Sequence, residues 1–322
     1  MRKLLLGTTA LAAAATLSAN AALADVSIAG YYEWKYNSRS SEVTSLDGTT
    51  YNSDSEITFK FSNKTDSGLD ISLTTEMLAD GGDTTIDEAS LTISGGFGKL
   101  TLGQNDGVGD NYGIAESDLI AEDEAPTQVS ATVDTTSDLA LGDLDNNKVI
   151  YHIPAIGNLT AGVSFTDAGE EGNADSTGYG AQYTAEAGGA AVTIGAAMNS
   201  QENATKDIDS SNIGIKVVSG DLSFIASQGA YEANDEDRET YGFSASYKMA
   251  NGMTVGAYTV NSEDDKDNGE EYERMGVELQ YTIASGLTAY INIDEYEYTT
   301  GSSSSTQADE GTNSKLTIKA TF

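Results

Sequence analysis

Apolar and polar residues alternate with a period of two along most of this chain, and the alternation is clearest at its carboxyl end. From residue 315 onward one face is apolar and the other is polar: Leu316, Ile318, Ala320 and Phe322 against Lys315, Thr317, Lys319 and Thr321. Successive side chains of a β-strand point to opposite faces, so this pattern predicts a strand between an apolar and an aqueous environment. In a chain built from such strands, the apolar face of the sheet must be shielded from water.

The same alternation recurs from Val26 to the end of the chain in about sixteen segments, an even number as in bacterial membrane barrels. Short turns rich in Gly, Asn or Asp alternate with long polar stretches, which are 37–55, 78–87, 105–146, 166–176, 199–210, 229–238, 261–271 and 295–313. Short turns at one rim and long loops at the other predict an all-β fold, a transmembrane antiparallel up-and-down β-barrel. A secreted β-sandwich or solenoid fits less well, because no fixed repeat of about 20 to 50 residues is visible.

Backbone pairing requires such a sheet to close. Every N–H and C=O in lipid must be bonded within the protein, so the strand at 26–36 and the strand that ends at Phe322 are expected to pair. This closure makes Lys315 and Lys319 lumenal. About sixteen tilted strands enclose a lumen too wide for side chains to fill, which predicts a water-filled channel.

The amino terminus has the pattern of an export signal. Arg2 and Lys3 precede an apolar stretch at 4–17, and Ala22-Leu23-Ala24 forms a small-x-small cleavage site. The apolar stretch is shorter than the roughly 20 residues that span a bilayer as a helix. We therefore expect residues 1–24 to be a signal peptide and residues 25–322 to form the barrel domain.

Charge limits the partners of the chain. It carries 51 acidic against 16 basic residues and a net charge of −35. Nucleic acid is excluded as an expected partner, because its binding requires a basic face. The acid either keeps the surface soluble or attracts cations to a surface or pore, and the composition supports both interpretations equally.

Two turns carry a resemblance to a known family. Thr65-Asp66-Ser67-Gly68-Leu69 and Ser94-Gly95-Gly96-Phe97-Gly98-Lys99-Leu100, together with the terminal Phe322, resemble the Gram-negative general porins of alphaproteobacterial type. The resemblance implies a sixteen-stranded, homotrimeric barrel in the outer membrane, in contact with its lipid and lipopolysaccharide. It also implies a passive pore in each protomer, a third loop folded into the barrel, and a terminal aromatic residue that acts as an assembly signal.

The third loop follows Gln104 and is rich in acid. The resemblance makes it the pore constriction, with an acidic side formed by Asp106, Asp110, Glu116, Asp118, Glu122, Asp123 and Glu124. The alternative is a free surface loop whose acids are merely solvated. Alternation turns several lysines inward, and the candidates for a facing basic wall are Lys35, Lys60, Lys99 and Lys148, each of which also suits a rim position. Arg39 and Arg238 fall in predicted loops.

Enzymatic activity is not expected. The single histidine, His152, lies within a predicted strand without a Gly-x-Ser-x-Gly sequence, and Gly95–Lys99 lacks the spacing of a phosphate loop. Oxygen ligands of the kind that Ca²⁺ or Mg²⁺ takes occur at Asp143, Asp145, Asp207 and Asp209. We expect weak association of these ions with the loops, and no other cofactor.

The pattern as a whole predicts a passive, weakly cation-selective outer-membrane channel for ions and small hydrophilic solutes. The alternative is a structural or adhesive acidic surface protein whose loops bind divalent ions or partners. Ion permeability distinguishes the two hypotheses.

Overall fold

The computed structural model describes residues 25–43, 46–79, 85–121, 147–166, 175–202, 207–233, 236–265, 269–299 and 308–322. Within these ranges sixteen strands follow one another: β1 Asp25–Ser41, β2 Gly48–Lys64, β3 Asp70–Leu78, β4 Thr85–Gly95, β5 Gly98–Gln104, β6 Asn147–His152, β7 Leu159–Thr166, β8 Asp175–Ala187, β9 Ala190–Glu202, β10 Asp207–Ser219, β11 Leu222–Ala233, β12 Glu236–Lys248, β13 Met253–Asp264, β14 Glu271–Ala284, β15 Leu287–Thr299 and β16 Asp309–Thr321. A short helix α1, Val108–Tyr112, and a 3₁₀ helix, Glu116–Leu119, lie between β5 and β6. No helix in the described part of the chain is long and apolar enough to span a bilayer.

Each strand pairs antiparallel with its neighbours in sequence, and β1 pairs with β16, so the sheet is a closed barrel. Trp34 lies opposite Ile318 and Lys35 opposite Thr317 in the closing pair. The Phe322 N–H donates to the Gly30 carbonyl at 2.9 Å. The predicted closure between the first strand and the strand ending at Phe322 is confirmed.

The two faces of the barrel differ as the alternation predicts. Large apolar side chains point outward and are exposed on the isolated chain, among them Ile28, Phe61, Ile194, Phe243 and Val277. Polar and charged side chains point inward and are buried, among them Lys148, Arg238, Arg274, Asn292 and Lys315. The outer face is therefore apolar and the inner face hydrophilic, as predicted for a membrane barrel.

Several strands extend well into segments predicted as loops. β1 and β2 occupy most of 37–55, β9 and β10 most of 199–210, and β15 and β16 the ends of 295–313. Arg39 and Arg238 are consequently strand residues, contrary to the prediction that they lie in loops. Near these strand ends the outward residues are polar; Glu273, for example, lies opposite Glu297. The apolar alternation that identifies a strand in the sequence is therefore absent, although the backbone pairing continues.

The first short turn has a specific backbone requirement. Gly68 has φ of 84° and lies in a tight turn in which the Thr65 N–H donates to the Leu69 carbonyl at 2.8 Å. This left-handed conformation is readily available only to glycine. The glycine in the turn sequence Thr65–Leu69 is thus explained by the backbone conformation that the turn requires.

Candidate functional site

The described part of the third loop, residues 105–121, lies inside the barrel, and we call it the inner loop segment. Its helix α1 packs against β7, β8 and β9, and its 3₁₀ helix packs against β11, β12 and β13. Val108, Tyr112, Ile114 and Ile120 are almost fully buried by this packing. The predicted fold of the third loop into the lumen is confirmed.

Hydrogen bonds attach the inner loop segment to inward side chains of the wall. The backbone N–H of Val108 donates to Ser164 Oγ at 3.1 Å, and that of Ile114 donates to Asn212 Oδ1 at 2.9 Å. Near its end the Ala121 N–H donates to Glu278 Oε1 at 3.1 Å. These anchors lie on β7, β10 and β14, so the segment follows the wall over much of its circumference.

The single histidine takes part in this attachment. Tyr112 OH and His152 Nδ1 are 2.7 Å apart. Burial raises the pKa of Tyr112, so its hydroxyl stays protonated and can donate to the imidazole. His152 is therefore a lumenal side chain that helps to hold the loop.

The predicted acids of the inner loop segment point in two directions. Asp106, Asp110 and Asp118 are exposed on the lumenal side of the loop. Glu116 is 1% exposed and faces the wall, where Ser227 Oγ donates to its Oε2 at 3.0 Å. Glu116 was predicted to line the open lumen, and this prediction is wrong, because the loop turns this side chain towards β11 and β12. Glu122, Asp123 and Glu124 lie outside the described residues.

The predicted basic wall residues all point inward, but their surroundings differ. Lys35 is paired with Glu33 at 3.2 Å, and Glu33 also contacts Lys319. Lys60 and Lys99 are exposed within the lumen, and Lys148 is buried on β6. The wall is therefore not purely basic, because Glu33 lies between two of the inward lysine amines.

Tyr31 and Asp54 add to this mixed wall. Lys319 Nζ lies 4.3 Å from the centroid of the Tyr31 ring, and Tyr31 OH donates to Asp54 Oδ2 at 3.2 Å. Alternation puts Tyr31 and Glu33 on the same inward face of β1 as Lys35, but it does not identify them as partners of the lysines. The pairing depends on the register of β1 with β2 and β16, which the sequence does not show.

Two arginines are buried on the inner face of the barrel; alternation turns Arg274 inward as well, whereas Arg238 was predicted to lie in a loop. Arg274 donates through Nε to Asp294 Oδ1 at 3.0 Å and lies over the Tyr258 ring, and both members of the ion pair are fully buried. Arg238 is 1% exposed and lies 3.6 Å from Glu270. Extending the alternation of β12 upstream from Tyr241 would have identified Arg238 as an inward residue.

The predicted divalent-ion ligands are only partly described. Asp207 and Asp209 are exposed residues of β10, not of a loop, and they lie opposite Glu202 and Glu232. Asp143 and Asp145 lie outside the described residues. Among the residues that are described, no group of three or more His, Cys, Asp or Glu side chains is arranged to hold a metal ion.

Comparisons with known proteins agree with this architecture. A family model described as Gram-negative porin matches residues 7–301. No curated protein matches the sequence. In-vitro folded OmpT of Vibrio cholerae in its trimer form superimposes with a TM-score of 0.69 at 16% identity, over 93% of this chain and 99% of that one.

Two further solved structures are similar. The anion-selective porin from Comamonas acidovorans has a TM-score of 0.65 at 14% identity, over 93% of this chain and 100% of that one. A mutant of Rh. blastica porin has a TM-score of 0.64 at 16% identity, over 92% of this chain and 100% of that one. At these identities the likeness shows a shared fold.

Proposed function

Because this chain belongs to the Gram-negative porin family and is an outer-membrane diffusion channel, we propose that the channel is passive, water-filled and weakly cation-selective. Ions and small hydrophilic solutes cross it down their gradients. The inner loop segment narrows the lumen and so limits solute size. Fixed carboxylates raise the local concentration of cations and lower that of anions.

The observation that supports cation selectivity is the exposure of acidic side chains on the loop side of the lumen. On the loop side, Asp106, Asp110 and Asp118 are exposed to the aqueous lumen. On the β1 and β16 side, Glu33 contacts two inward lysines, Lys35 and Lys319, and offsets part of their positive charge. The net charge of −35 has the same sign as the exposed acids of the loop.

Reversal potentials in planar bilayers under a KCl gradient test the proposal. We expect K⁺ to be preferred over Cl⁻ at 0.1 M, where the Debye length is about 10 Å, and the preference to shrink at 1 M, where it is about 3 Å. Replacing Asp106 and Asp110 by Asn should reduce the preference. The fold alone does not fix the selectivity, because a porin of the same fold is anion-selective. A preference of the unmodified channel for Cl⁻ over K⁺ at low salt would contradict the proposal.

We further propose that the protein is a homotrimer surrounded by outer-membrane lipid and lipopolysaccharide. At the outer ends of β10 to β15 the outward positions are acidic, whereas those of β1 and β2 are neutral and include the adjacent aromatic rings of Trp34, Tyr36 and Tyr51. Two copies repel one another least when their neutral faces meet. Light scattering in detergent with the detergent mass subtracted measures the subunit number.

Export and ion association complete the proposal. We propose that residues 1–24 are removed on export, because they carry the charged, apolar and small-x-small pattern of a signal peptide. Outward carboxylates lie directly opposite one another, as in Asp209 with Glu232 and Glu263 with Glu271, and such pairs attract counterions. We propose weak, diffuse association of Ca²⁺ or Mg²⁺ with these strand ends.

A further inference from the structure

A row of inward-facing glycines lies beneath the inner loop segment. Gly195 on β9 is in register with Gly214 on β10, which is in register with Ser227 on β11, which in turn is in register with Gly242 on β12. Gly180 on β8 lies opposite Ala197, two residues beyond Gly195, and extends the row on one side. We call Gly180, Gly195, Gly214 and Gly242 the glycine seat.

The loop occupies the space that side chains at these positions would fill. A Cβ at Gly180 would lie 2.7 Å from Tyr112 Cβ, one at Gly195 would lie 2.8 Å from Ile114 Cγ1, and one at Gly214 would lie 2.7 Å from Ile114 Cβ. A Cβ at Gly242 would overlap the Glu116 carboxylate. Ordinary carbon–carbon contacts are about 3.5–4.0 Å, so alanine would displace the segment by about 1 Å.

Space, not backbone conformation, explains these glycines. The φ angles of the seat residues are not among those in the left-handed region, which occur elsewhere at turns such as the one with Gly68. Glycine inside a strand is otherwise unfavourable, because it loses more backbone entropy on folding than other residues and packs no side chain. The seat is therefore a feature of the wall that the position of the loop accounts for.

Polar anchors stand beside the seat and fix the loop along it. Ser227 takes the place of a glycine in the row and donates to Glu116 Oε2 at 3.0 Å. Asn212, two residues before Gly214 on β10, accepts the Ile114 N–H at 2.9 Å. Glu116 is 1% exposed in this arrangement, so it functions as an anchor of the loop to the wall.

We propose that the glycine seat determines the aperture and selectivity of the channel by setting how far the inner loop segment stands from the wall. Glycine at these positions lets the loop lie closer to the wall than alanine would, by about the thickness of a methyl group. The open part of the lumen is wider by the same distance. The exposed Asp110 and Asp118 move with the loop, so the seat also sets their distance from a passing ion. This inference rests on the proposed channel function.

The first test measures conductance. Gly195→Ala with Gly214→Ala should lower single-channel conductance, since the loop would stand about 1 Å further from the wall and narrow the open part of the lumen. Liposome swelling should slow more for a large sugar than for a small one. Folding is verified by the shift in gel migration between unheated and boiled samples.

Two glycine variants serve as controls. Gly311→Ala introduces a clash of the same kind on the barrel wall, since its Cβ would lie 2.8 Å from Tyr296 OH, and the atoms nearest to that Cβ belong to Ser40 and Tyr296, not to the loop. Gly96→Ala has no atom within 4 Å of the added carbon. Both should conduct like the parent, and a folded Gly195→Ala/Gly214→Ala barrel with unchanged or higher conductance would overturn the proposal.

The second test measures proximity without relying on conduction. The chain has no cysteine, so introduced thiols react only with each other. A Cβ at Gly242 would lie 2.8 Å from Glu116 Cγ, close to the approximately 3 Å that separates a Cβ from the partner sulfur across a disulfide. Gly242→Cys with Glu116→Cys should therefore form a disulfide in the folded barrel, whereas Gly242→Cys with Asp118→Cys, whose carboxylate is exposed on the other side of the loop, should not.

The two tests separate the possible failures. A parent protein that forms no channel would refute the proposed function, while disulfide formation at 116 and 242 would still show that the loop rests on the seat. A disulfide that forms only in the Asp118→Cys control, in a folded barrel, would overturn the seat itself. A folding defect in the double-alanine variant leaves the cysteine pair to decide.

Discussion

Neutralising Glu33 should move the channel towards anions, because this carboxylate offsets part of the positive charge of two lumenal amines. Lys35 is paired with Glu33 at 3.2 Å and Lys319 contacts its other oxygen. The side chains of Lys35 and Glu33 are 13% and 10% exposed, so the lumenal potential senses their charges while water still solvates them. Glu33→Gln retains the size and hydrogen-bonding oxygen of the side chain and removes one negative charge.

The expected effect follows from Coulomb's law. For an ion about 7 Å from the altered charge in water, the interaction is about 0.6 kcal/mol, and screening at 0.1 M salt reduces it to about 0.3 kcal/mol. Cation entry becomes less favourable by this amount and anion entry more favourable by the same amount. The K⁺/Cl⁻ permeability ratio should therefore fall about threefold at 0.1 M and hardly change at 1 M.

Reversal potentials at both salt concentrations measure this ratio. Glu297→Gln is the matched control, because it removes the same charge from an exposed, outward-facing position of β15. It should leave the ratio unchanged. A Glu33→Gln channel with an unaltered or higher K⁺/Cl⁻ ratio at 0.1 M would refute the reasoning that Glu33 neutralises the wall.

Three further predictions concern assembly, stability and ions. Deleting Phe322 removes its two backbone hydrogen bonds with Gly30 and should lower the amount of protein in the outer membrane, measured by immunoblot of membrane fractions, more than the conductance of inserted channels; normal membrane levels would contradict this. Asp294→Ala leaves Arg274 buried without its carboxylate and should destabilise the barrel by about 3–5 kcal/mol, seen as a lower urea midpoint, whereas an unchanged midpoint would show that the pair contributes nothing. Ca²⁺ should raise the melting temperature of the parent, and less so that of Asp209→Asn, because this substitution relieves the repulsion from Glu232; a melting temperature independent of Ca²⁺ would count against ion association at the strand ends.

The alternation of side chains predicted the barrel well because it records the environment on each side of the sheet. Ile318 and Trp34 face outward and Lys319 and Glu33 face inward in the structure as in the sequence. The pairing of the terminal strands could be predicted too, since an unpaired strand edge is not tolerated in lipid. Strand ends were predicted less well, because beyond the apolar band both faces are polar while backbone pairing continues, as at Arg238.

The amino-acid sequence by itself thus determined the barrel, its closure, the direction of most side chains and the family. Only the tertiary structure decided what each inward side chain meets: that Glu116 turns to Ser227, that Glu33 joins Lys35 to Lys319, and that glycines on several strands form one seat. The alternation specifies a face but not the neighbour across it. Those neighbours depend on strand register and on where a distant loop folds back, and both are contacts between residues far apart in the chain.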